Sequence, residues 1–241
     1  MNDIANRLNA LLPHLSGTPA LAIVLTIAAY LVSIRIFPRL GQPVWCPPVL
    51  LASLLLAAAL VVLSIDHREY AASASWISFL LGPATVALGI PLYTQMRHIR
   101  ALWRPIVVTV PLAATFAAIY AVVLAHWLGA NDEVIASIAP KSVTAPIAIG
   151  IAEEIGGSVP LLMGGLLATG IVTTLFVDLL AARVGVTDHR LLGLTLGING
   201  HAIGTVRAFE ISPLAGAFAS LGMGLTGLFT AILLPLVMLY S

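Results

Sequence analysis

Apolar residues run along this chain in long blocks, and the polar residues that interrupt them are clustered. Four blocks, 19–37, 47–65, 105–128 and 158–182, are read as helices that cross a bilayer on their own, since a hydrocarbon core ~30 Å thick needs ~20 helical residues. A fifth runs from 213 to 240, broken only by small residues and by Pro235 near its end. Its Gly216, Ser220, Gly222, Gly224 and Gly227 let a neighbouring helix come close.

Three intervening stretches are hydrophobic on average but punctuated by Gly, Pro and polar residues: 81–91 with Pro83 and Pro91, 137–157 with Pro140 and Pro146, and 191–210 with Gly197, Gly200 and Gly204. Such residues break helices, and backbone left unpaired at membrane depth is tolerated only within protein or along an aqueous cavity. The pattern predicts an all-α integral membrane protein, a polytopic bundle with broken helices or re-entrant hairpins. Arg35 and Arg39, and then Arg97, Arg100 and Arg104, place two loops on the cytoplasmic side, with Arg68 a minor violation. For Arg183 and Arg190 also to lie inside, 137–157 must be a hairpin rather than a crossing, and 191–210 then dips in from the opposite face. Residues 128–132 resemble 184–188, and each precedes a broken segment and a long span, which predicts an inverted repeat.

Composition narrows the class. With 60% hydrophobic and only 9% charged residues, the chain lacks the polar groups to cover a water-soluble surface, and its solvent is the lipid bilayer. A formal net charge of +1 without a basic run gives no footing for nucleic acid. One cysteine, Cys46, excludes an internal disulfide and a cysteine metal cluster. Protease, hydrolase and P-loop motifs are missing, so neither an enzyme nor an ATP-driven pump is expected, and no metal or cofactor. Residues 1–18 have the spacing of a short amphipathic helix rather than a signal peptide.

Candidate chemistry concentrates in two of the broken stretches. Lys141 sits between Pro140 and Pro146 beside Ser142 and Thr144; a lysine at membrane depth faces a cavity or snorkels to the interface. A helix restarting at Pro146 would point its positive end at the break, which favours an anion. Asn199, His201, Thr205 and Arg207 form the second cluster. There an arginine can grip a carboxylate and a histidine titrates near neutrality, though Arg207 has Glu210 within reach as an alternative partner. His201 and Glu153 are candidate proton relays, while solvation at a segment end is the plainer fate for Glu153 and Glu154. Asp178 suits either an intramembrane role or an interfacial ion pair with the Arg183 loop. Thr85 occupies a place in the first stretch like that of Ser142 in the second.

The segments GPATVALGIPLY at 82–93, PKSVTAPIAIGIAEEIGG at 140–157, GHAIGTVRAFE at 200–210 and GAFASLGMGLTGLFTAILLPL at 216–236 resemble the LrgB/CidB family of bacterial membrane proteins, from about residue 20 to the end. Its members are described as antiholin-like or as regulators of murein hydrolase export, and a plant relative is a plastid glycolate/glycerate translocator. The resemblance implies a bacterial inner (cytoplasmic) membrane location, an LrgA-like small membrane protein as partner, and a small-carboxylate substrate. Where the family carries Thr-Ala-Ser-His-Ala, this chain has Ile198-Asn199-Gly200-His201-Ala202, exchanging a hydroxyl-bearing site for an amide and a glycine. The expected organisation is an extension at 1–18 and one LrgB-like domain at 19–241, with a scaffold at 19–104 and a transport core at 105–241. A homo-oligomer is expected. The expected function is secondary transport of glycolate, glycerate or pyruvate, proton-coupled, with elevator-like motion; the alternative is a holin- or antiholin-like regulator.

Overall fold

A computed structural model of the chain describes residues 18–41, 43, 45–87 and 89–239, so the amphipathic segment expected over 1–18 lies outside it except for Thr18. All regular structure among these residues is helical, in two compact units that meet in sequence at Thr85 and Val86.

In the first unit, α1 (Pro19–Ile36) starts at Pro19 behind the N-cap Thr18 and gives way to a 3₁₀ turn over Phe37–Leu40. Gly41, with φ 79°, ends that turn in the left-handed conformation a glycine adopts freely. Helix α2 (Pro48–Val62) has 15 residues, about 22 Å of rise and less than the hydrocarbon thickness. The span expected at 47–65 is therefore cut short. Ser64 takes φ 54°, and the Asp66 carboxylate accepts a hydrogen bond from the Arg68 N–H to start α3 (His67–Ser73), which is bent by 119° from α2. A hydrogen bond of 2.6 Å between Thr26 Oγ1 and Tyr70 Oη joins α1 to α3. Helices α4 (Ser75–Phe79) and α5 (Leu81–Ala87) follow.

The second unit continues with α6 (Gly89–Thr94), α7 (Met96–Ala101) and α8 (Trp103–Trp127). Pro83 and Pro91, expected as breaks, lie in the first turns of α5 and α6, where a proline's missing N–H has no helical partner to lose. Beyond α8 come α9 (Asp132–Ile138), α10 (Ala145–Glu154), α11 (Val159–Val184), α12 (His189–Ile211) and α13 (Pro213–Leu239). Among the described residues, α1, α8, α11 and α13 are long and apolar enough to span a membrane, and the α2–α3 pair is a fifth candidate. Outward-facing Phe116, Leu112, Phe176 and Leu228 are more than half exposed, as lipid-facing side chains are.

Both expected hairpins are present. The chain leaves α9 at Ile138, turns through 139–144 and runs back along α10. Gly157 then packs against the backbone of Ala136 and Ser137, and the Ser158 N–H donates to Ser137 Oγ at 2.7 Å. In α12 the direction reverses at a single residue, His201, whose φ of 42° and ψ of −131° lie outside the helical region. Gly204 comes to rest on the carbonyl of Leu196, eight residues earlier, where a continuous helix would hold the two about 12 Å apart. The first limb, 189–200, then runs parallel to α13, with Gly193 on Ala215 and Gly197 on Ala219.

The glycines expected as breaks are thus divided. Gly200 immediately precedes the reversal, whereas Gly197 and Gly204 lie inside helical limbs and permit backbone-to-backbone contact. Pro140 is in the irregular turn, and Pro146 opens α10.

The repeat is visible in the backbone. Helices α8 and α11 are followed by Gly129 and Gly185, at φ 77° and 75°. The next hairpins begin at N-caps Asn131 and Asp188, each accepting a hydrogen bond from a backbone N–H. Arg190 holds the Asp188 carboxyl at a pKa of about 2 by side-chain and backbone hydrogen bonds, so that cap is ionised at neutral pH.

Candidate functional site at the hairpin tips

The two hairpins reach one place on α11 from opposite ends. A β-carbon on Gly165 would lie 3.8 Å from Cβ of Lys141, in the turn of the first hairpin. At the next residue, the Leu166 carbonyl accepts a hydrogen bond of 2.8 Å from His201 Nε2, at the reversal of the second. From there the first hairpin extends toward the start of α11, where Gly157 meets Ala136. The second follows α11 the other way, through Gly170 against Ile203 to Asp178 against Arg207. Helix α13 meets them in reverse order: Met223 Sδ lies 3.7 Å from Thr205 Oγ1 in the second hairpin, and Gly227 packs on Ile147 and Val143 of the first. Antiparallel use of α11 and α13 by two like hairpins is the arrangement an inverted repeat produces.

At the first tip, Lys141 is half-buried and donates from Nζ to Tyr120 Oη at 2.6 Å, with Nζ 4.4 Å from the centre of that ring. Among the described residues no carboxylate pairs with it. Ser142 and Thr144 are buried, and neither hydroxyl has a hydrogen-bond partner among the described residues. Thr144 is the N-cap of α10, yet its side chain does not cap the helix, and Pro146 brings no N–H to that turn. The partial positive charge of a ten-residue helix is therefore directed at the break beside a lysine.

The second tip is more closed. His201 is 4% exposed. Because a carbonyl oxygen only accepts, Nε2 carries the proton in the bond to Leu166. The non-helical backbone at this residue costs on the order of 1–3 kcal/mol, offset by the bond that joins the tip to α11. Thr205 Oγ1 donates to the His201 carbonyl at 2.8 Å, and Asn199 Nδ2 donates to the Thr195 carbonyl at 3.0 Å.

Two candidates lie away from the tips. Arg207 donates to Asp178 Oδ2 from Nε at 3.1 Å and from Nη2 at 2.8 Å, while Nη1 donates to Glu210 Oε2 at 2.9 Å. Two carboxylates thus hold the guanidinium, about 9 Å along the limb from His201. Glu210, three residues on, was a foreseeable partner; Asp178, 29 residues back, becomes one through the packing of α11 on α12. Glu153 and Glu154 are exposed at the far end of α10. Thr85 is among the residues whose side chains are not described. Tyr120 escaped the sequence reading, because an aromatic residue inside an apolar span gives no sign that it will meet a lysine 21 residues later.

The sequence model of the LrgB-like family matches residues 26–240. An uncharacterized protein of Haemophilus influenzae is 35% identical over 213 residues, covering 88% of this chain and 92% of its own. The Bacillus subtilis protein YxaC is 33% identical over 215 residues, 89% of this chain and 93% of its own. The holin-like protein CidB of Staphylococcus epidermidis is 29% identical over 219 residues, 91% and 95% of the two chains. No solved structure matches the chain.

Proposed function

The chain belongs to the LrgB-like family and is a multi-pass membrane protein, and from that premise we propose that it is a secondary transporter that binds a small monovalent anion at the hairpin tips. One observation carries this reading: among the described residues Lys141 has no carboxylate partner while Arg207 has two. A half-buried cation at membrane depth is costly when unpaired, and its ion-pair partner here is the anion. A single uncompensated charge suits a monocarboxylate such as glycolate, glycerate or pyruvate better than a dicarboxylate. Ser142 and Thr144 supply hydroxyl donors, and α10 directs its N-terminus at the same point. His201 is the candidate proton carrier. Residues 105–241 would move as the core against 19–104 in the bacterial inner membrane, beside an LrgA-like protein or as a homo-oligomer.

A second reading has its own support. The names of staphylococcal relatives speak for a holin-like protein, and family membership with such relatives favours that reading over carboxylate transport. Counterflow of labelled glycolate and pyruvate in proteoliposomes separates the two. Carrying gives saturable exchange of the solute, whereas a holin-like pore gives leak that follows oligomer size without saturation. Within the carrier reading, Arg207→Gln is expected to leave half-saturation within about threefold of wild type, because its carboxylate partners already neutralise the guanidinium. A loss of a hundredfold would move the anion site to Arg207.

A further inference from the structure

The geometry points to Thr226 of α13 as a further ligand-binding residue, its hydroxyl donating to the anion at the hairpin tips; the inference rests on the reading of those tips as an anion site. Thr226 is 1% exposed, and its Oγ1 is fully enclosed with no hydrogen-bond partner among the described residues. Hydroxyls inside helices ordinarily bond back to a carbonyl three or four residues earlier. Thr174, Thr205 and Ser220 do so here, whereas the buried Thr173 and Thr230 make no such bond among the described residues. Thr226 does not either, and among the described residues its oxygen alone is both unpartnered and wholly enclosed.

Its position gives the omission meaning. One turn before it, Met223 touches Thr205 of the second hairpin. Beside it, Gly227 packs on Val143 and Ile147 of the first, and Val143 lies between Ser142 and Thr144. Thr226 therefore stands where α13 passes from one hairpin to the other, as Gly165 and Leu166 do on α11.

A buried hydroxyl without a partner is destabilising relative to an apolar group of the same shape, and valine is that group. The hydroxyl is accounted for if it gains a partner in another state of the protein. An anion held by the Ser142–Thr144 turn is that partner, reached when the first hairpin shifts along α13, against which it packs at Gly227, and opens the enclosed hydroxyl. Thr226 would add a neutral donor to the charge of Lys141 and help fix the carboxylate's orientation.

The test uses the full chain with Thr226→Val and Thr226→Ser, melted in detergent with and without glycolate or pyruvate and assayed by counterflow in proteoliposomes. Without anion, the valine variant is expected to melt ~2–4 °C higher than wild type, as removal of an unsatisfied buried group predicts. Its half-saturating anion concentration should rise about tenfold or more, the worth of a hydrogen bond to a charged group, and the serine variant should stay near wild type. A valine variant that titrates like wild type, or melts below it, overturns the assignment of Thr226 alone. A wild-type protein with neither a melting shift nor exchange for either anion overturns the anion-site reading, and this inference with it.

Discussion

Replacement of Lys141 by methionine is expected to abolish saturable monocarboxylate exchange, raising the half-saturating concentration about 100-fold or more while leaving the melting temperature unchanged or slightly higher. The two directions have one cause. At an effective dielectric of about 20, unit charges 4 Å apart attract by roughly 4 kcal/mol, and the Nζ of Lys141 is the cation at the tips that no carboxylate among the described residues neutralises. Removing it takes away the counter-charge of the proposed anion. It also removes a half-buried ammonium held by the hydroxyl and ring of Tyr120, and an apolar chain of similar length can follow the same path. Lys141→Arg keeps the charge but places a planar fork where a compact ammonium met a phenol, so a loss of about tenfold is expected. Exchange and melting measured on the same preparations check both parts. Exchange within threefold of wild type in the methionine variant would remove Lys141 from the site and, with it, the main support for anion transport.

Proline and glycine made much of this architecture legible in the sequence. Pro140 and Pro146 bracket the turn that carries Lys141, and the like segments at 128–132 and 184–188 proved to hold equivalent left-handed glycines, Gly129 and Gly185, ahead of capped hairpins. Local chemistry sets those features, and local chemistry is what a sequence exposes. The features that escaped depend on residues brought together from afar. Asp178 becomes a partner of Arg207 only because α11 lies along the second hairpin, and Tyr120 reaches Lys141 only because α8 flanks the first. Other features escaped where a residue departs from its usual behaviour. A serine and a histidine, not glycines, take the positive φ angles that end α2 and reverse α12, and Thr226 leaves a wholly enclosed hydroxyl without a partner among the described residues.

Gly197→Ala is expected to be among the most damaging single substitutions in the second unit, lowering the melting temperature by about 6 °C or more, or preventing recovery of folded protein. A β-carbon there would lie 2.0 Å from the carbonyl oxygen of Ala219, and one on Gly193 would lie 2.1 Å from that of Ala215. These obstacles are backbone atoms of α13 and cannot swing aside as a side chain would. The limb and α13 must separate, opening the contact lined by Leu196, Ala208, Ala215 and Ala219. Overpacking costs typically 1–3 kcal/mol and more where nothing can yield, and 3 kcal/mol is about 6–12 °C for a chain of this size. Gly224→Ala is the control, because a β-carbon there meets nothing within 4 Å and alanine favours a helix by about 1 kcal/mol over glycine. Gly204→Ala divides fold from function more finely. Its β-carbon would fall 2.1 Å from the Leu196 carbonyl oxygen across the hairpin, so it spreads the limbs and displaces His201 from Leu166 while leaving the first limb's glycine contacts with α13 in place. Exchange should be lost at temperatures where much of the protein is still folded. If Gly197→Ala and Gly224→Ala melt alike, the parallel packing of the first limb on α13 is wrong; if Gly204→Ala exchanges normally, the second tip has no part in binding.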